Sequence, residues 1–205
     1  MKKRNVMTMA LSLAMVGVIA VGGTLAYLTA TDDSATNTFT FVTGEDDKPM
    51  IKVTLTEPKP DATGDESIAQ NADGKGWSYD GVIPGQTLNK APAISAETFV
   101  SSYVFVRVTE SENVSIVDLN VGDGEGQWKT LTGVENVYYK EVDKGFEGSL
   151  GNVFTQVKVD DIAEEMMKDT VLAPITIEVA AIQTANFETP EAAYQAGIGE
   201  NFFQG

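Results

Sequence analysis

Tyr103-Val104-Phe105-Val106-Arg107-Val108 alternates with a period of two, and its reading decides the fold class. In an extended chain Val104, Val106 and Val108 lie on one face and Tyr103, Phe105 and Arg107 on the other. With apolar side chains on both faces, the stretch reads as a central strand. The same period recurs on either side of it. Ile51, Val53 and Leu55 point inward against Lys52, Thr54 and Thr56, and Val153, Val157 and Val159 fall together within 152–159. Shorter strands are expected at Val114 to Leu119, Trp128 to Leu131 and Val137 to Val142, with Gly122-Asp123-Gly124-Glu125-Gly126 and Asp143-Lys144-Gly145 as turns. Ile175 to Ile182 is nearly continuous in apolar or small residues, as expected of a strand buried on both faces or under a helix.

Between these strands the chain is punctuated by turn residues. In Val82-Ile83-Pro84-Gly85-Gln86-Thr87, Pro84 pre-sets φ and Gly85 accepts positive φ, so a turn precedes an extended segment to Ile94. The stretch 57–81 is rich in Pro, Gly, Asp and Asn and holds only Ile68, Trp77 and Tyr79 as large apolar residues up to Asp80, which predicts a long surface loop. Two short helices are expected. Asp161-Ile162-Ala163-Glu164 fits a capping box opening a helix to about Lys168, and Thr189-Pro190-Glu191 opens another that Gly197 stops. Many short strands, Gly- and Pro-rich turns and two short helices define an all-β, antiparallel β-sandwich. Periodicity fits jelly-roll and immunoglobulin-like connections equally.

The N-terminus carries an address. Lys2, Lys3 and Arg4 form a basic region, Val6 to Val21 an apolar one, and Thr24 and Ala26 place small residues where a signal peptidase reads. A signal peptide over 1–26 is expected, cut between Ala26 and Tyr27. The competing reading is an uncleaved anchor, since roughly 20 apolar residues span a bilayer. Gly22-Gly23 before the cut, the polar interruptions of the run and the lack of a basic stop-transfer cluster favour cleavage. After the cut comes an N-terminal segment, 27–43, followed by a domain over 44–205. Tyr27 to Ser34 is polar without strong pattern, and Thr38-Phe39-Thr40-Phe41 alternates as a strand does, with Phe39 and Phe41 on one face.

Gly22-Gly23-Thr24-Leu25-Ala26-Tyr27-Leu28-Thr29-Ala30-Thr31-Asp32 with Ala35-Thr36-Asn37-Thr38-Phe39-Thr40 resembles the processing region of the TasA/camelysin family, exported proteins of Gram-positive bacteria matured by a SipW-type signal peptidase. Further stretches are similar to that family: Pro84-Gly85-Gln86-Thr87 with Lys90-Ala91-Pro92, Gly126-Gln127-Trp128-Lys129 with Val137-Tyr138-Tyr139, and Thr176 to Tyr194. Where the family continues with an Asn-Thr-Gly turn, this chain has Ala96-Glu97-Thr98. The resemblance implies an extracellular jelly-roll sandwich, often a subunit of biofilm-matrix fibres.

Composition narrows the chemistry. Cleavage leaves 179 residues (205 less 26), one domain of ordinary size, and removing three basic residues takes the net charge from −16 to −19. Such a surface repels nucleic acid and anionic lipid, so neither is an expected partner and membrane contact is confined to export. Without cysteine the exported fold holds by packing alone. Without histidine there is no HExxH zinc motif and no Ser-His or Cys-His pair. Camelysin has been described as a metalloprotease, but no histidine-dependent route exists here. Asp32-Asp33, Asp46-Asp47, Asp160-Asp161 and the Asp123/Glu125 loop lack EF-hand spacing and read as solvated turns or caps. No catalytic residue, metal ligand or cofactor site is assigned, and the remaining enzymatic reading is a hydrolase using two carboxylates.

The functional expectation is a secreted structural protein, a biofilm-matrix or cell-surface fibre subunit that self-assembles by β-strand donation. Thr38, Phe39, Thr40 and Phe41 are the expected self-assembly strand, with the same strand pairing inside its own domain as the plain alternative. The reading from another class is a monomeric extracellular binding module for a carbohydrate or protein, with Trp77 and Tyr79 as ligand contacts. For these two and for Trp128, ordinary packing is the plainer role.

Overall fold

The computed structural model describes residues 29–33 (as backbone), 50–72, 74, 76–161, 172 and 174–199. The leader with its Ala26/Tyr27 cut, the strand expected at Thr38–Phe41 and the helix expected from Ile162 to Lys168 lie outside the described residues. The described chain is predominantly β, with antiparallel strand pairs throughout its sheets.

The Tyr103–Val108 alternation becomes β7 (Ser102–Thr109), third of five strands in the largest sheet. Its neighbours are β13 (Thr176–Gln183) and β10 (Val137–Val142), and the sheet ends in β1 (Thr29–Asp33) beside β13 and β9 (Lys129–Thr130) beside β10. β7 is buried on both faces, as expected. Val104, Val106 and Val108 enter one core with Ile177, Val179 and Ala181 of β13. Tyr103 and Phe105 enter a second core with Leu131, Ala180 and Ile182. The second core is covered by the C-terminal helix, α1 (Pro190–Ala193), which continues as a π-helical turn over Tyr194–Ile198. Phe105 and Tyr194 rings stand 5.4 Å apart in a tilted arrangement. Thr189 caps α1 as expected, its hydroxyl accepting from Ala192 N at 3.1 Å, with Pro190 in the first turn. The helical segment runs past Gly197 and ends instead at Gly199, whose φ is 54°.

The first core is closed by two smaller sheets. One contains β2 (Ile51–Thr56), β6 (Ala93–Thr98) and β11 (Glu147–Asn152); the other contains β5 (Thr87–Asn89), β12 (Gln156–Val159) and β8 (Val114–Ile116). β6 pairs with β11, and β5 with β12. Only Lys90–Pro92 separates β5 from β6, and only Val153–Thr155 separates β11 from β12. Hydrogen bonds from Lys90 N to Thr155 O and from Val153 N to Pro92 O, both 3.0 Å, carry the pairing across the gap. The two halves are thus one long antiparallel pair bent at Pro92, which has no N–H to give. The pairs therefore nest along the sequence: β1 with β13, β5/β6 with β12/β11, and β7 with β10, the outer and inner pairs sharing one sheet and the middle pair belonging to the two smaller ones.

Several boundaries differ from expectation. The 57–81 stretch contains a hairpin, β3 (Ser67–Gln70) with β4 (Trp77–Asp80), four residues a strand and too short for a visible period. The strand expected over Val114–Leu119 stops at Ile116, because the Asp118 carboxylate turns to accept from Thr155 N, Thr155 Oγ1 and Gln156 N. Burial pushes Asp118 up, and these hydrogen bonds outweigh it and hold the carboxyl below its usual range. The strand expected over 152–159 divides at the bend, although Val153, Val157 and Val159 share the core.

Replacing Phe105, which is fully buried between β7 and the helix, removes the side chain both elements pack on. Phe105→Ala is expected to cost roughly 3–5 kcal/mol in urea unfolding with an unchanged m-value. A loss within experimental error would contradict helix packing on this face.

Candidate functional site

Two places bring together the residues singled out in the sequence. The first is the outer edge of β13. β1 runs antiparallel along it, Thr29 opposite Ile182 and Asp33 opposite Glu178. The sequence TATDD does not announce this strand, since it offers β-branched threonines but no apolar face. Main-chain hydrogen bonding needs no such face, and β13 supplies an eight-residue partner. The opposite end of the sheet is different: β9 is two residues long and carries Lys129, and a short charged strand makes a poor template for another chain.

The second place is the β3–β4 hairpin. Trp77 and Tyr79 alternate on β4 and both line a cavity of about 470 Å³. Trp77 Nε1 donates to Glu57 O at 3.0 Å, and Tyr79 Oη donates to Asn89 O at 2.7 Å. Burial, followed by the charges of Glu57 and Glu66, raises the Tyr79 phenol far above its ordinary value, so it stays a neutral donor. Glu57 also meets Lys90 at 2.6 Å in an ion pair whose side chains are 10% and 13% exposed. Glu57 and Lys90 carry no pattern in the sequence, being 33 residues apart. They meet because β2 ends and β5 ends at the same point beneath the hairpin.

The hairpin is moored by Glu66, a carboxylate only 5% exposed. Its Oε1 accepts from Thr63 N at 2.6 Å and from Thr63 Oγ1 at 3.1 Å, and its Oε2 accepts from Gln86 Nε2 at 2.7 Å. Gln86 closes the expected turn, with Gln86 N to Ile83 O at 3.1 Å and Gly85 at φ 77°. The Thr63 backbone bond, assisted by Gln86 and the Thr63 hydroxyl and opposed by burial, brings the Glu66 carboxyl down to about 2.

Trp128 is fully buried and unavailable to a ligand. Lys140 Nζ lies 5.0 Å from its ring centroid and donates to Gly126 O at 2.6 Å and Leu150 O at 2.5 Å, and burial pushes the Lys140 amine below its usual range. Among the described residues no three acidic side chains converge as a metal ion requires. Comparison with protein-family models, curated proteins and solved structures found no match.

Because Glu66 has a lower pKa folded than unfolded, its stabilisation is fully present above about pH 4.5 and is lost as pH falls toward about 2. Glu66→Gln is expected to melt lower than wild type near neutral pH, with the two melting curves converging as the solution is acidified. A constant offset across that range would contradict this assignment.

Proposed function

We propose that this chain is a secreted fibre subunit of the TasA/camelysin type, exported on its 1–26 leader, released by a SipW-type peptidase after Ala26, and assembled by donation of the N-terminal segment 27–43 to a neighbouring copy. The observation that carries the reading is the position of β1. It starts three residues after the expected cut and forms the last strand of the largest sheet, against β13. The chain from 34 to 50 can extend to roughly 55 Å, which is enough to carry that strand to a neighbour. Main-chain bonds to β13 would be the same in cis and in trans, so exchange needs no new surface.

The nested pairing supports a jelly-roll sandwich. A strip of antiparallel pairs wrapped around a core sends successive pairs to alternate sheets, which is the arrangement of β1:β13, β5/β6:β12/β11 and β7:β10. In that strip β1 is the first strand, and a subunit without it has an open edge. Thr38–Phe41 follows β1 closely in the sequence and provides the apolar alternation that would lengthen the donated segment. The basic leader with a mature charge of −19 supports an extracellular site and a partner that is neither nucleic acid nor anionic membrane.

Deleting 27–43 is expected to leave a folded monomer that forms no fibres in negative-stain electron microscopy, while the intact mature chain forms them. Fibres of unchanged number and width from the deletion variant would overturn strand donation.

A further inference from the structure

We infer that the cavity beneath the β3–β4 hairpin binds a free single-chain amphiphile, with an apolar tail of medium length and a small acceptor head such as a carboxylate. The inference stands independently of the fibre reading. The cavity reaches between the sheets, and strands from both sides give it an aliphatic wall: Leu55, Leu88, Val114, Val157, Val159 and Ile177. Its volume of about 470 Å³ matches roughly 16 waters at about 30 Å³ each, the space of an occupant with a dozen or more heavy atoms. Water gains few hydrogen bonds along such a wall, and an alkyl chain laid against it removes apolar surface from water.

The polar side of the cavity is already organised. Ser78 Oγ donates to Asn71 Oδ1 at 2.5 Å, Trp77 Nε1 to Glu57 O, and Lys90 Nζ to Glu57 Oε1 at 2.6 Å. An oligosaccharide needs many hydrogen-bonding groups over a flat aromatic surface, whereas these groups are committed to one another. The Lys90 ammonium has three donors and spends one on Glu57, which leaves two for an acceptor head in the same cavity. Trp77 and Tyr79 then serve as walls along the tail, held in place by their own hydrogen bonds, and no sugar is stacked on them.

The test titrates the mature chain, 27–205, with decanoate by calorimetry, with cellohexaose and with phosphatidylcholine/phosphatidylglycerol vesicles in parallel. Saturable 1:1 decanoate binding is expected, with no response to the hexasaccharide or the vesicles. Val82→Trp places a large side chain at a partly buried lining position and is expected to weaken decanoate at least about tenfold at unchanged melting temperature. If that variant does not fold, a decanoate brominated at its chain end decides: it is expected to quench tryptophan emission in the wild type, and Trp77→Phe to remove the quenched component. Absence of saturable decanoate binding, an unaffected Val82→Trp affinity, quenching that persists without Trp77, or binding of hexasaccharide or vesicles in place of decanoate would each overturn the inference.

Discussion

The pairing of β7 with β13 is the constraint on which the rest of the structure depends. Eight consecutive residues of each strand face one another, from Ser102 opposite Gln183 to Thr109 opposite Thr176. Both strands bury both faces over most of that length. A one-residue slip would send Val104, Val106 and Val108 to the helix side and Phe105 into the valine-rich core, so side-chain volume fixes the register. Arg107 and Glu178 stand directly opposite and meet at 2.5 Å, adding a charged check on the same register where the strands approach solvent. In a chain without disulfides, this doubly buried pair takes the place of a covalent staple.

A sheet buried on both faces still has edges, and the two are managed differently. On the β10 side the sheet ends in a two-residue strand, one residue of which is a lysine. On the β13 side an eight-residue edge is covered by a five-residue strand from the N-terminal segment, leaving Thr176, Ile177 and Gln183 outside its register. Under the proposed donation, that asymmetry gives a subunit one growing edge. The cross-strand register runs from Thr29 opposite Ile182 to Asp33 opposite Glu178. A strand recognised mainly through its backbone can be exchanged between copies with little change in contact energy.

The interior of this fold is legible in the sequence and the periphery is not. Tyr103–Val108 is readable because β-branched and aromatic residues alternating over six positions match an extended chain and fail to match a helical period. The Pro84-Gly85 turn and the Thr189 cap are readable because each follows from one residue's backbone chemistry. β1 and β3 are hidden, being five and four residues long with no apolar stripe to mark them, and the Trp77/Tyr79 alternation of β4 spans only four residues. Trp77 and Tyr79 stand out as aromatics in a polar stretch, but their place beside a cavity exists only once the hairpin closes. Glu57 meets Lys90 across 33 residues and Glu66 meets Gln86 across 20, and no spacing in a single sequence encodes such meetings. The bend at Pro92 is hidden for the same reason: each half looks like a separate strand until Lys90 and Val153 bond across it.

Strand donation is tested most directly by cross-linking across the β1–β13 register. Thr31 and Ala180 are direct partners, and facing residues lie about 4.5–5.5 Å apart at Cα, within disulfide range. The native chain has no cysteine, so any disulfide reports on the introduced pair alone. When Thr31→Cys and Ala180→Cys chains are mixed, assembled and oxidised, the expected result is a covalent heterodimer on a non-reducing gel, formed only under assembly conditions. If the mixture stays monomeric while a single chain carrying both substitutions closes its disulfide internally in every condition, β1 belongs to its own domain and the donation mechanism is contradicted.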